Sequence, residues 1–368
     1  MKRNILIGLA LLISFLLFGQ QNDWHHYRGN AQLSGVSSNN LANQYQLKWS
    51  FQASDIIKSS VIFAGDFIYI ASTDGTLYAL NKKGEEQWKF KSENTFEAAP
   101  FFMDGSIFIG DLEGKMFAIN AETGKKIWQY ETEGQITGSV NWAYSNQLKT
   151  KQILFGSYDF YLHAIDASNG KLLWKYETEN YINGAPAIYQ NKAVFGGCDG
   201  FLHLVDLEEG KKGDTISIGT YIASSAAIEN DFAYFGNYDG VFFKVDLSKR
   251  AIVWQNSEGG SFIASPSVSK GKVVIGSQNK YVYCFDTSNG ELLWKFQTLR
   301  KIESSPIISG SRVLITSTDG RIYILDLNTG KKMWSYEIGT PIVGTPALTN
   351  EMIIVGAQDG SVFCFEKK

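Results

Sequence analysis

The sequence predicts an all-β fold: an eight-bladed β-propeller of four-stranded antiparallel blades, closed by the N-terminal strand completing the last blade. Tryptophan recurs at Trp49, Trp88, Trp128, Trp174, Trp254, Trp294 and Trp334, in steps of 39, 40, 46, 80, 40 and 40. The double step marks a unit without its tryptophan, whose position falls near Ile216 to Ile218, so the register has eight members. Each unit repeats one order: a small-residue strand, a Val/Ile/Phe strand, an Asp-Gly-type turn, an aromatic strand, an Asn/Thr-Gly turn and a strand ending in Trp. Four strands per period of about 40 residues, with almost no helical periodicity, is the signature of propeller blades.

Residues 1–20 read as a signal peptide. A basic Met1-Lys2-Arg3-Asn4 precedes an apolar run, Ile5 to Phe18, of the length of a signal-peptide core rather than a membrane span. Cleavage near Gly19-Gln20 removes Lys2 and Arg3 and takes the formal charge from −3 to −5. No cysteine lies there to accept a lipid. The expectation is therefore a soluble exported protein, periplasmic or secreted and not lipidated. Residues 21–45 form an N-terminal arm, and residues 46–368 form the propeller.

Composition narrows the function. Lys plus Arg number 34 against 37 Asp plus Glu, so no general electrostatic pull on a phosphate backbone is present and nucleic acid is not an expected partner. With 44% hydrophobic and 14% aromatic residues, disorder is excluded. Cys198, Cys284 and Cys364 are too far apart in sequence for a zinc pattern and odd in number, so they read as small buried apolar residues.

Within the units, Asp74-Gly75, Asp199-Gly200, Asp239-Gly240, Asp319-Gly320 and Asp359-Gly360 supply positive φ for tight type I′ hairpins. Glu113-Gly114, Asp159-Phe160 and Asn279-Lys280 hold the same register with weaker turn chemistry. Glu122-Thr123-Gly124, Ser168-Asn169-Gly170, Ser288-Asn289-Gly290 and Asn328-Thr329-Gly330 make the second turn, where Gly takes the left-handed conformation. The last unit stops before its Trp strand, while Leu47 to Phe51 is a Trp strand with no unit before it. Joining them removes the free sheet edges of an open array. The seven ladder tryptophans are expected to fill the wedge between blades; Trp24 and Trp142 lie off the ladder.

The strings Ala118 to Trp128 (AINAETGKKIW) and Ala164 to Trp174 (AIDASNGKLLW), with Cys284 to Trp294 and Ile324 to Trp334, resemble the pyrroloquinoline-quinone-type propeller repeat, A-x-D-x-x-T-G-x-x-x-W. The likeness covers nearly all of residues 46–368. Trp24-His25-His26-Tyr27-Arg28-Gly29-Asn30, followed by Gly35-Val36-Ser37, is similar to the W-x-x-F/Y-R-G lead-in of exported, non-catalytic members. The family includes quinone-dependent dehydrogenases and non-catalytic propellers such as BamB of outer-membrane assembly. The resemblance therefore implies the fold and leaves two functions open.

The dehydrogenase pattern is not matched: no cysteines are adjacent, no C-x-x-C-H is present, and no calcium ligands or catalytic base can be assigned. Glu97, Asp111 and Glu113 are the one conceivable group of oxygen ligands. His163 and His203 occupy a register filled elsewhere by Tyr or Phe and read as packed rings. Neighbours His25 and His26 point to opposite sides of an extended segment. No catalytic residue, cofactor or metal is assigned.

The register that the scaffold leaves free runs Lys58, Glu97, Thr137, Asn183, Ala223, Ile263, Glu303 and Val343, each followed by two small residues. It is expected to line the channel mouth, on the face that carries the Asp-Gly turns. Its polar members, Lys58, Glu97, Thr137, Asn183 and Glu303, are the candidate partner-binding ring, with a pairing of Lys58 and Glu97 as the plain alternative. Tyr144 to Gln152 is an insertion on the opposite face, and Glu208 to Asp214 replaces the usual Trp approach of unit 4. The reading is a non-catalytic exported scaffold for a protein or envelope polymer, a monomer or complex subunit, possessing no transmembrane segment after signal removal. The alternative is an enzyme or sensor that holds pyrroloquinoline quinone or another small ligand in the funnel.

Overall fold

A computed structural model describes residues 24–211 and 213–368; residues 1–20, where a signal peptide is expected, lie outside the described residues. The chain forms eight antiparallel sheets arranged as a propeller, and no helix interrupts them among the described residues. Blade 1 comprises Ile62–Ala64, Phe67–Ala71, Thr76–Asn81 and Glu86–Lys91, and blades 2 to 7 repeat that plan. In blade 8, Ala347–Leu348, Met352–Gly356 and Ser361–Lys367 are followed by Tyr45–Gln52, which pairs antiparallel to the final strand from Tyr45↔Lys367 to Gln52↔Ser361. The predicted closure is present.

Inner and middle strands are buried on both faces, as their Val/Ile/Phe runs require, and the core divides into clusters that mostly bridge neighbouring blades. The tryptophans hold the seams between blades. Trp88 Nε1 donates to the Ala121 carbonyl of the next blade at 3.0 Å, Trp254 to Thr287 at 3.1 Å, Trp294 to Leu327 at 2.9 Å, and Trp49 joins blade 8 to blade 1 through Lys82 at 3.0 Å. Each of these indoles lies over a glycine of the next blade. A Cβ on Gly84, Gly124, Gly290 or Gly330 would stand 2.6 Å from the ring, so glycine is required there for space as well as for its positive φ.

Two sequence expectations are corrected. The missing tryptophan belongs at Asp214, opposite Leu204 as Trp174 is opposite Ala164 and Trp294 is opposite Cys284, and not near Ile216 to Ile218. Asp214 pairs instead with Lys192 at 3.0 Å and with Arg250 of the next blade at 2.8 Å. Arg250 holds the register of those glycines, at φ 57°, where no indole lies over its Cα. The Asp-Gly turns are also not type I′. Only the second residue has positive φ, 82° at Gly75, and the Gly75 amide donates to Ser72 while Ser72 donates to Thr76. That is a type I turn followed by one left-handed residue, which Phe160 and Lys280 also adopt.

The arm is part of the fold. Carbonyls of Trp24, His25, Ala31, Gln32, Ser34 and Gly35 accept the amides of Phe63, Phe102, Ile188, Ile228, Val268 and Ile308, the same position on the inner strands of blades 1, 2, 4, 5, 6 and 7. At blade 3 the equivalent Trp142 amide bonds its neighbour's Asn141 Oδ1 at 2.8 Å, and Asn141 reaches the arm through His26 Nε2 and Ala31 O. Asn39 Nδ2 reaches Leu348 O of blade 8 at 2.9 Å. The arm therefore makes one circuit beneath the channel, and Val36–Ser37 adds a short parallel strand to blade 7. Trp24 is buried at the start of the circuit, packed on Gly29.

Candidate functional site: the channel mouth and its aromatic rim

All eight residues of the variable register line one central cavity of about 140 Å³. Below them the small residues form a belt. The hydroxyls of Ser139, Ser225, Ser265, Ser305, Thr345 and Ser60 each accept the amide of the corresponding residue one blade earlier, at 2.8–3.2 Å. The belt is interrupted at Ala99 and Ala185, which offer no hydroxyl. Small side chains thus serve the crowded axis twice, by size and by satisfying inner-strand amides.

Tyr27 of the arm lines the cavity from the opposite end, its hydroxyl 3.2 Å from Ser265 Oγ. Behind it, Arg28 is fully buried and donates to Pro306 O at 2.6 Å, Pro266 O at 2.6 Å and Ser267 Oγ at 2.7 Å. Burial draws its guanidinium down to about 10, so it stays charged at neutral pH. Tyr27 thus narrows the inner end of the funnel, and Arg28 acts as a clamp inside the protein.

At the mouth, Lys58 Nζ meets Glu97 Oε1 at 2.6 Å across blades 1 and 2, and Glu303 pairs with Lys301. Asn183 accepts from the Tyr158 hydroxyl at 2.5 Å and donates to Cys198 Sγ at 3.0 Å, which places Cys198 at the rim, half-buried, while Cys284 and Cys364 are buried. Ser224 Oγ faces the funnel without a partner among the described residues.

Other candidates are accounted for structurally. Asp111 is buried and caps its turn by accepting from Ser92 Oγ and the amides of Glu113 and Lys115. Among the described residues no group of three His, Cys, Asp or Glu could hold a metal ion. His163 and His203 stack on Phe155 and Phe195 and bond Asp159 and Asp199 at 2.9 and 2.8 Å. The insertion turns on the far face, where Glu208 of blade 4 accepts from Ser145 Oγ and the amides of Asn146 and Gln147.

Single-column reading missed an exposed aromatic arc beside the mouth over blades 3 to 5. Tyr158 stacks on Tyr181 with centroids 4.5 Å apart, Phe160 tilts against Tyr181, and Tyr221 meets Tyr238. Tyr221 is 52% and Tyr238 49% exposed. The signal was available: Phe160 stands where most units place Gly, and Tyr181 and Tyr221 stand where others place Gln135, Ser261 or Pro341.

Fold and mouth define a class, the closed eight-bladed propellers with a polar central funnel. The model of a family described as outer membrane protein assembly factor BamB matches residues 37–256, 180–296 and 278–368, and the chain belongs to that family. No curated protein matches. BamB from Moraxella catarrhalis superposes with a TM-score of 0.74 at 18% identity, covering 88% of this chain and 98% of that one. The designed Ika8 protein gives 0.74 at 18% identity over 87% and 99%, and a europium-containing methanol dehydrogenase gives 0.80 at 12% identity over 94% and 98%. Likeness at these identities establishes the shared fold.

Proposed function

We propose that the chain is an exported, non-catalytic propeller scaffold that binds a protein partner through the mouth face, in the cell envelope. The observation that carries the reading is the exposed aromatic arc contiguous with the mouth: Tyr158 bonds Asn183, joining surface rings to the ring residues. Aromatic side chains that cluster in solvent are the usual anchors of protein interfaces. The membership in the assembly-factor family supports an envelope role, and no described helix is long and apolar enough to cross a membrane.

The competing quinone reading is disfavoured by the donor set. A quinone bearing several carboxylates needs cations, yet the funnel offers Lys58 already paired to Glu97, together with Glu303, and its volume is about 140 Å³. Pyrroloquinoline quinone with calcium is expected to leave the melting temperature and the absorbance spectrum unchanged; a shift in both would reinstate that reading.

The scaffold is tested by pull-down from an envelope fraction. Neutralising Lys58, Glu97 and Glu303 together, or replacing Tyr181 and Tyr221 by Ser, is expected to abolish capture of a specific partner with little change in melting temperature. Capture retained by both variants would move the site to another face.

A further inference from the structure

Next to the aromatic arc the mouth face changes character. A cleft of about 480 Å³ opens over blades 6 to 8, and it shares Glu303 and Val343 with the funnel. Lys280, Arg300 and Lys301 line it with the polar side chains of Gln278, Thr318 and Gln358. Its single carboxylate, Glu303, is taken by Lys301. Among the described residues no ion pair is recorded for Lys280 or Arg300, although the chain as a whole is net negative. Lys280 takes the left-handed place in its turn that Gly holds in most units, at φ 77°, so a backbone cost accompanies a cation at this point of the rim.

Apolar surface lies beside these charges. Pro341 and Val343 line the cleft, and Leu299, next to Arg300 in the chain, is 65% exposed, the most exposed large hydrophobic residue described. Between the arc and the cleft the rim falls: where blade 7 has Leu299-Arg300-Lys301, blade 6 has Gly259-Gly260-Ser261. Gly259-Gly260-Ser261 thus leaves the rim between Tyr238 and Lys280 without the long side chains that Leu299-Arg300-Lys301 adds at blade 7.

We propose that this cleft is a carboxylate-binding groove that receives an extended, acidic and apolar peptide segment of the protein partner. The inference rests on the scaffold reading and names the chemistry of its partner. Two uncommitted cations with amide and hydroxyl groups suit side-chain carboxylates, and alternating apolar side chains of the same segment fit Leu299, Pro341 and Val343. A polysaccharide acid would satisfy the cations and leave the apolar part of the groove uncovered.

The test uses the full chain and three fluorescein-labelled decapeptides, of alternating Glu and Leu, Gln and Leu, and Lys and Leu, with polygalacturonate as the anionic polysaccharide. The Glu-Leu peptide is expected to bind at least tenfold tighter than the other two, with affinity falling as salt rises. K280E/R300E, both exposed, is expected to lose that preference at least tenfold and to keep the wild-type melting temperature. Equal binding of the Glu-Leu and Gln-Leu peptides, unchanged binding by K280E/R300E, or binding of polygalacturonate alone would each overturn the groove. If K280E/R300E still captures the envelope partner that the Tyr181/Tyr221 variant loses, the groove fails and the scaffold stands; if neither variant alters capture, both fail.

Discussion

At the scale of single residues, the arm carries the sharpest consequences. His26 is buried, with Nε2 2.8 Å from Asn141 Oδ1 and Nδ1 2.6 Å from Tyr27 O, and burial lowers its imidazole to about 4. Because the folded value lies below the ordinary 6.5, the unfolded chain takes the proton first. Stability from this site is therefore complete above pH 6.5 and is lost as pH falls toward 4, by up to about 3 kcal/mol. Melting curves from pH 7 to 4 are expected to show that loss, and His26→Gln to flatten it. Arg28→Ala should cost roughly 3–5 kcal/mol, because buried acceptors left unpaired cost about 1–3 kcal/mol each. A melting temperature within error of wild type would show the clamp to be dispensable. Neither effect was legible in the sequence, where an aromatic-basic lead-in implied packing but not which carbonyls it meets.

Among elements, the seam between blades 4 and 5 differs from the Trp-Gly seams. Asp214 and Arg250 hold it by an exposed ion pair, an interaction worth about 0–1 kcal/mol and weakened by salt. Hydrogen exchange should therefore be fastest along Gly213–Ser217 and rise with ionic strength, while the seam of Trp294 and Gly330 stays protected. Asp214→Trp with Arg250→Gly is expected to melt higher than wild type, and Asp214→Trp alone lower, since the Arg250 Cβ would stand where the ring must lie. Equal behaviour of single and double variants would refute the pairing of indole with glycine. The tryptophan ladder was readable because a periodic scaffold repeats its demands in every unit. The substitute was misplaced because an acid and a base, 36 residues apart, carry no periodic signal.

For the whole molecule, closure rests on one strand. Deleting residues 45–52 removes both the outer strand of blade 8 and the Trp49 contact with Lys82, and is expected to abolish the cooperative melt. Eight blades, their seam and the ring of mouth residues could be derived from unit-by-unit comparison, since strand period and turn chemistry fix which face each register meets. The arm's circuit could not, because its path from blade to blade is set by backbone carbonyls, which any sequence supplies, and its side-chain clamps meet carbonyls and hydroxyls that carry no periodic signal.

That circuit also sets an order of events. Gly35 bonds Ile308, Asn39 bonds Leu348, and Tyr45 pairs with Lys367, so the later part of the arm finds its partners in blades 7 and 8. The ring cannot lock until blade 8 has formed, and contacts of such sequence separation form slowly. A ring shut by contacts so distant in sequence stays open through most of its assembly and closes in one late step.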